Sequence, residues 1–214
     1  MDEKDGLDEA NRVTERAIEE RESKERKESN EYEFTQQTQI RVPEDRIGVI
    51  IGREGEIKRR IEDETGCKIK ISRDGIVSIR GNDAIGFIKA QNVIKAIARG
   101  FNPDVAFKLL KDDFKVLEII NLADYVGENA LKRVKGRIIG KDGKMRTSIE
   151  ETLDVNLSIF GKTVSIIGDM DNVYAAREAI LMLIEGAQHS RVLRFMEKKK
   201  REIKTRDLDW KPLM

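Results

Sequence analysis

The chain has 214 residues, of which 38% are charged, and it contains one histidine and one cysteine at a formal net charge of +1. This length suits one or two small domains, and a single cysteine excludes a disulfide framework within the chain. The longest apolar run, 179–184, is too short to span a membrane and the amino end has no apolar signal core, so we expect a cytoplasmic protein.

The first stretch of the chain, residues 1–31, is rich in charge and poor in apolar anchors. It holds seven Lys/Arg against twelve Asp/Glu. Such a segment buries too little apolar surface to form a core, so we expect an arm that is disordered or a lone solvated helix.

A first domain is predicted over 32–100. It begins with a strand at 33–42 and a short helix that runs into the loop Ile-Ile-Gly-Arg-Glu-Gly at 50–55. Ile57 and Ile61, four residues apart, indicate a second helix over 54–64. Strands at 67–72 and 76–80 flank a turn at 73–75, and a long apolar helix pattern ends at Gly100. Cys67 falls among strand residues, where we expect a small buried side chain.

A second domain is predicted over 114–190, after a linker at 101–113. Its strand at 114–122 leads to the loop Ile-Ile-Gly-Lys-Asp-Gly at 138–143, a helix over 142–152, strands at 155–160 and 163–167, and a helix that ends at Gly186. Residues 191–214 are predicted to be a basic helix and tail, with eight Lys/Arg against two Glu between 191 and 206.

The two predicted domains are copies of one unit. Residues 46–71 and 134–159 share eight identities in 26 ungapped positions, where about two are expected by chance. They include Gly48 with Gly136, both loop glycines and Glu62 with Glu150. The predicted fold is therefore α+β, with two β-α-α-β-β-α domains, each a three-stranded sheet covered on one face by helices.

The repeated loop has the chemistry of an anion site. A loop between two helices leaves the first N–H groups of the second helix open, where the helix dipole favours an anion. The glycines remove Cβ atoms that would block a sugar-phosphate backbone, and Arg53 or Lys141 supplies a cation. Beside each loop we expect an aliphatic groove wall, formed by Ile47, Ile50, Ile51, Ile57 and Ile69 in the first copy and by Ile138, Ile139, Met145 and Leu157 in the second. A share of these isoleucines is expected in the core, since a helix face must pack.

At these residues the sequence resembles the type I KH (K-homology) family, whose Gly-x-x-Gly loop clamps the backbone of single-stranded nucleic acid. Two such domains between an acidic arm and a basic tail also resemble the archaeal small-subunit ribosome-assembly proteins of the Dim/Pno family. The resemblance implies single-stranded RNA as ligand, specifically the 3′ region of small-subunit rRNA. It also implies a Nob-type endonuclease or other assembly or translation proteins as partners, with no enzyme activity, metal or cofactor. The predicted RNA-binding residues are Lys135, Arg137, Ile138, Ile139, Gly140, Lys141, Asp142, Gly143, Lys144 and Arg146 in the second copy, and Ile51, Gly52, Arg53, Glu54, Gly55 and Lys58 in the first.

One feature departs from a simple phosphate site, because the second variable loop residue is acidic in both copies, Glu54 and Asp142. We expect this acid either to cap its helix or to contact the following Lys58 or Arg146, and it also repels phosphate. Residues 132–149 hold seven Lys/Arg against one acid, so the second copy is expected to be the main RNA reader.

Three other readings of the sequence stay open. The repeats could form a protein-binding scaffold, or a KH protein that acts on RNAs other than rRNA. An enzyme acting on RNA has less support, since the sequence shows no paired histidines and no nucleophile beside a base.

Overall fold

The computed structural model describes residues 35–209. In the first domain, strand β1 (Gln36–Arg41) precedes helix α1 (Glu44–Ile51), a 3-10 turn (Arg53–Gly55) and helix α2 (Glu56–Thr65). Strands β2 (Lys68–Ile71) and β3 (Ile76–Gly81) follow, and helix α3 (Ala84–Ala98) closes the unit. The strands form an antiparallel sheet in the order β1-β3-β2.

The second domain repeats this order. It consists of strand β4 (Lys115–Asn121), a 3-10 turn (Leu122–Asp124), helix α6 (Glu128–Ile139), a 3-10 turn (Lys141–Gly143) and helix α7 (Lys144–Leu153). Strands β5 (Asn156–Phe160) and β6 (Thr163–Asp169) and helix α8 (Met170–Ile184) complete it, with sheet order β4-β6-β5. The predicted α+β fold with two β-α-α-β-β-α units is confirmed.

The element boundaries follow from a few residues. Asp83 caps α3 by accepting the Gly86 N–H at 2.6 Å, which occupies one of the free donors of the first turn. Gly100 and Gly186 follow the two long helices at φ of +95° and +98°, a conformation that lets the chain leave a helix at little cost for glycine. The same repeat position thus ends both long helices.

The connection between the domains, residues 101–113, is packed rather than open. It contains two short helices, α4 (Pro103–Ala106) and α5 (Lys108–Lys111). Phe101, Ala106, Phe107, Leu109 and Leu110 are buried in the core of the first domain. This stretch therefore adds to the first core and carries the chain directly into β4.

The two sheets differ in how their outer faces are covered. β3 alternates between buried and more exposed residues, whereas Thr163 to Gly168 of β6 are all buried. Val164 and Ile166 belong to the core of the second domain, but Ile167 belongs to the core of the first. The second sheet is thus covered by its own helices on one face and by the first domain on the other.

Polar contacts reinforce this domain interface. Ser158 donates its hydroxyl to the Arg99 carbonyl at 2.8 Å, and Lys108 Nζ donates to Asn156 Oδ1 at 2.8 Å. The close approach needs glycine at position 100, because a Cβ there would lie 2.7 Å from Ser158 Oγ.

Cys67 is a free thiol, 1% exposed, in the first core, as predicted. Burial raises its pKa, and the Asp83 charge raises it further against a Thr65 hydrogen bond that lowers it. Within residues 35–209, no helix is long and apolar enough to cross a membrane. The predicted arm, 1–31, lies outside the described residues.

Candidate nucleic-acid interface

The two glycine loops have the same backbone conformation. Gly52 and Gly140 have φ of 73° and 74° with extended ψ, and Gly55 and Gly143 have φ of 81° and 76°. Between them, Glu54 and Asp142 lie in the left-handed region at φ of 49° and 54°. Two different sequences therefore hold the same shape, which indicates that the flanking helices and glycines determine it.

The first glycine of each loop packs against the protein itself. A Cβ on Gly52 would lie 2.5 Å from Ile57 Cγ1, and a Cβ on Gly140 would lie 2.7 Å from Met145 Cβ. The expectation that both glycines clear space for a ligand is therefore wrong for the first one, which clears space for the next helix.

The second glycine faces open space. No heavy atom lies within 4 Å of a Cβ built on Gly55 or Gly143. These glycines are also the N-cap residues of α2 and α7, and no side chain caps either helix. An anion can thus reach uncapped N–H groups at the second glycine without meeting a side chain.

The acidic loop residues make neither of the contacts expected of them. Neither Glu54 nor Asp142 caps its helix. Lys58 instead lies 3.9 Å from Glu62, and Arg146 lies 3.3 Å from Glu150. Aspartate tolerates the left-handed conformation better than glutamate does, so the second loop has less backbone strain than the first.

The second loop is surrounded by exposed cations. Lys132, Arg133, Lys141 and Lys144 are all exposed. Lys135 donates to the Gly161 carbonyl at 3.1 Å, which places it at the β5-β6 turn but leaves it only half-buried. The structure therefore brings Lys141 and Lys144 together at the loop, with the other three cations on α6.

Arg137 has a structural role that the sequence reasoning did not anticipate. Its Nε donates to the Leu183 carbonyl at 3.1 Å and its Nη2 to the Ala187 carbonyl at 2.6 Å. Arg46 makes the equivalent bonds in the first domain, to Ile97 at 2.8 Å and Phe101 at 2.5 Å, from a position one helical turn earlier in the repeat. Both arginines clamp the end of a long helix, so Arg137 is not a free phosphate ligand.

Cations near the first loop are bound within the protein. Arg59 donates to the Glu54 carbonyl at 2.7 Å, and Arg60 bonds Glu64 at 2.8 Å while its guanidinium lies 4.1 Å from the Phe107 ring centre. With Lys58 beside Glu62, only Arg53 of the predicted first-loop cations is exposed without such a contact among the described residues.

Most of the predicted aliphatic wall is core. Ile138 is fully buried and has no surface for a ligand, which corrects its assignment as a groove residue. Ile50, Ile69, Met145 and Leu157 are also buried. Ile51 and Ile139, both 37% exposed, are the members of the repeated Ile-Ile pairs that face outward.

Two acids that the sequence reasoning left without a role join helix to edge strand. Glu62 accepts the Ile69 N–H at 2.7 Å, and Glu150 accepts the Leu157 N–H at 2.8 Å. Arg146 Nη2 also donates to the Leu157 carbonyl at 2.9 Å. The signal was present in the sequence, because Glu62 and Glu150 are identical at equivalent positions of the repeat.

Helix α9 (His189–Asp209) packs on the second domain through α7 and α8. Val192 and Met196 are fully buried, whereas Lys198, Lys200 and Arg201 are exposed. Lys199 is half-buried, 3.9 Å from Glu178 and 3.6 Å from Glu202. The outward face of α9 is therefore basic, and its inward face is part of the core.

The sequence matches two family models. A KH domain model matches residues 37–96, and a model of the eukaryotic-type KH domain, type I, matches residues 116–201. A KH domain-containing protein of Methanocaldococcus jannaschii is 43% identical over 170 residues, which cover 77% of this chain and 74% of that protein.

Two further relatives have more specific names. The pre-rRNA-processing protein PNO1 of Chaetomium thermophilum is 37% identical over 102 residues, 46% of this chain but only 39% of the fungal protein. The crystal structure of an a/eIF2alpha-aDim2p-rRNA complex from Pyrococcus horikoshii contains a similar chain, with 41% identity and a TM-score of 0.74. That match covers 80% of this chain and 98% of the archaeal one.

Proposed function

Because the chain belongs to the KH-domain proteins related to Dim2 and PNO1, we propose that it binds single-stranded RNA through the loop of its second domain. The observation that carries this proposal is the open face of Gly143, at an uncapped helix start beside exposed Lys141 and Lys144. Phosphate oxygens bind these N–H groups and cations, while unstacked bases lie towards Ile139 and the edge strand β5.

The RNA we propose is small-subunit rRNA near its 3′ end, during ribosome assembly. Support comes from the rRNA in the complex of the Pyrococcus horikoshii relative and from the pre-rRNA-processing name of the fungal relative. A Nob-type endonuclease and translation proteins are the proposed partners, the proposed location is the cytoplasm, and the protein positions RNA rather than cleaving it.

We further propose a division of labour between the domains. Lys58, Arg59 and Arg60 of the first domain are engaged within the protein, whereas the cations of the second loop are exposed. The second domain is the RNA reader, and the first contributes weaker RNA contacts or holds a protein partner. This observation favours the scaffold alternative for the first domain alone.

Crosslinking the protein to RNA in cell extract, followed by sequencing of the attached RNA, tests the proposal. Reads concentrated near the 3′ end of small-subunit rRNA are expected. Reads scattered over messenger RNA would overturn the ribosomal assignment but leave single-stranded RNA binding in place. Failure to bind any single-stranded RNA in a filter-binding assay would overturn both.

A further inference from the structure

A groove lies where α9 passes the start of α8 and the start of β4. It has a volume of about 420 Å³, and its lining includes Asp112, Phe114, Val116, Met170 and Ile203. Phe114 is 80% exposed and Met170 is 53% exposed, which makes them two of the most exposed large apolar side chains of the described residues. Neighbouring apolar side chains this exposed generally mark a surface that something covers.

The inward face of α9 has a regular spacing. Val192, Met196, Lys199, Ile203 and Arg206 follow one another at alternating steps of four and three residues, and the first two are fully buried. Another step of four reaches position 210. At 100° per residue, position 210 returns to the angle of Val192, so a helix that continues by one residue past Asp209 points position 210 inward.

The packing of α9 against α8 gives the level at which that residue would lie. Lys199 contacts Glu178 and Arg206 contacts Asp171, so the two helices run antiparallel with equal steps. Four residues beyond Arg206 correspond to about residue 167, just before α8 begins. Gly168 pairs with Val116 and Asp169 with Lys115 at this level, which is where the groove opens.

The residue at position 210 is the only tryptophan of the chain. We propose that Trp210, which lies outside the described residues, seats its indole in this groove between Phe114 and Met170. Lys211 then comes next to the Asp112 carboxylate, a favourable charge pairing. The acidic arm, residues 1–31, does not offer this complementarity. The tail so anchored fixes the end of α9, and with it the direction in which the basic face of that helix points.

Tryptophan fluorescence of the full-length chain tests the proposal, because one residue supplies the whole signal. Native emission is expected to be blue-shifted from that of the denatured chain, and quenching by acrylamide is expected to be weaker. Phe114→Ser and Met170→Ser each shift the native emission towards the denatured value and increase quenching. Because both side chains are more than half exposed, the variants keep their fold, which circular dichroism checks.

Ile85→Ser serves as the matched control, since Ile85 is 66% exposed on α3 and does not line the groove. It leaves the emission unchanged. A wild-type emission equal to that of the denatured chain would overturn the proposal, as would a blue-shifted emission that both groove variants leave in place. A blue shift that appears only as protein concentration rises would also overturn it, because the groove would then hold the tryptophan of a second copy.

Discussion

Gly140 and Gly143 stand three residues apart but constrain the chain in different ways, and alanine substitutions can separate their roles. Gly140→Ala forces a Cβ to within 2.7 Å of Met145 at positive φ. We expect it to destabilise the fold by about 1–3 kcal/mol, from strain and overpacking. Thermal unfolding measures this loss.

Gly143→Ala gives the opposite profile. Its φ of +76° costs about 1 kcal/mol, but its Cβ meets no other atom. The fold is expected to survive while RNA affinity falls, because the new methyl group lies where the sugar-phosphate backbone approaches. Equal RNA affinity for wild type and Gly143→Ala, in a filter-binding assay, would contradict the proposed site.

The cation of each loop offers a second test at this scale. Lys141→Asp replaces an exposed cation by an acid next to Asp142, so it removes one phosphate contact and adds repulsion. We expect a loss on the order of 2 kcal/mol in RNA binding, roughly thirtyfold, with stability changed by about 0.5 kcal/mol or less. Arg53→Asp is expected to cost less, because the cations around the first loop are engaged within the protein.

The control for these variants is Lys111→Asp, which reverses an exposed charge on α5, away from both loops. It should bind RNA nearly as wild type does. If Lys141→Asp stays folded and binds single-stranded RNA within about twofold of wild type, the loop is only a turn.

At the scale of elements, helix α9 combines a buried face with a basic one. Deleting it would uncover Val192 and Met196, so charge substitution is the cleaner experiment. Lys198→Gln, Lys200→Gln and Arg201→Gln together should weaken the binding of all RNAs by a similar factor, because exposed cations on a helix contact phosphate but form no pocket for a base. Affinities for several unrelated single strands check this. A change in the ranking of those RNAs, rather than a uniform loss, would show that the helix reads sequence.

The elements themselves could be predicted from periodicity and from the repeat. Ile57 and Ile61 indicated α2, and the turn residues 73–75 separated β2 from β3, because these signals are local. Long-range partners could not be predicted in this way. Nothing near Arg137 in the sequence shows that its guanidinium reaches the end of α8, and an Ile-Ile pair does not show which member faces outward.

The whole molecule should discriminate between single and double strands. A groove that accepts splayed bases excludes a duplex, and Lys/Arg contacts release counterions on binding. About three phosphate contacts give a log-log slope near −2 with salt on single strands. Titrations at several salt concentrations measure the slope, and a duplex of the same sequence is the control. Equal affinity for the duplex would contradict the KH mode of binding.

The domain interface also predicts how the molecule unfolds. Ile167 is a β6 residue of the second domain, buried in the core of the first. We expect one cooperative transition for both domains, and Ile167→Ala should lower their stability together by about 2–5 kcal/mol. Ile167→Val, a smaller truncation, should cost about 0.5–1.5 kcal/mol. Calorimetry that resolves two transitions, with only one of them displaced by Ile167→Ala, would contradict this coupling.

The double burial of β6 has a consequence for the history of the repeat. A duplicated segment normally leaves two halves that can later be lost, exchanged or moved to another gene. Here Ile167 and Ser158 of the second copy meet the first copy rather than water, and Gly100 of the first admits that contact. The halves are no longer separable units of inheritance. Each was then free to diverge in charge, because selection retained the pair as a whole.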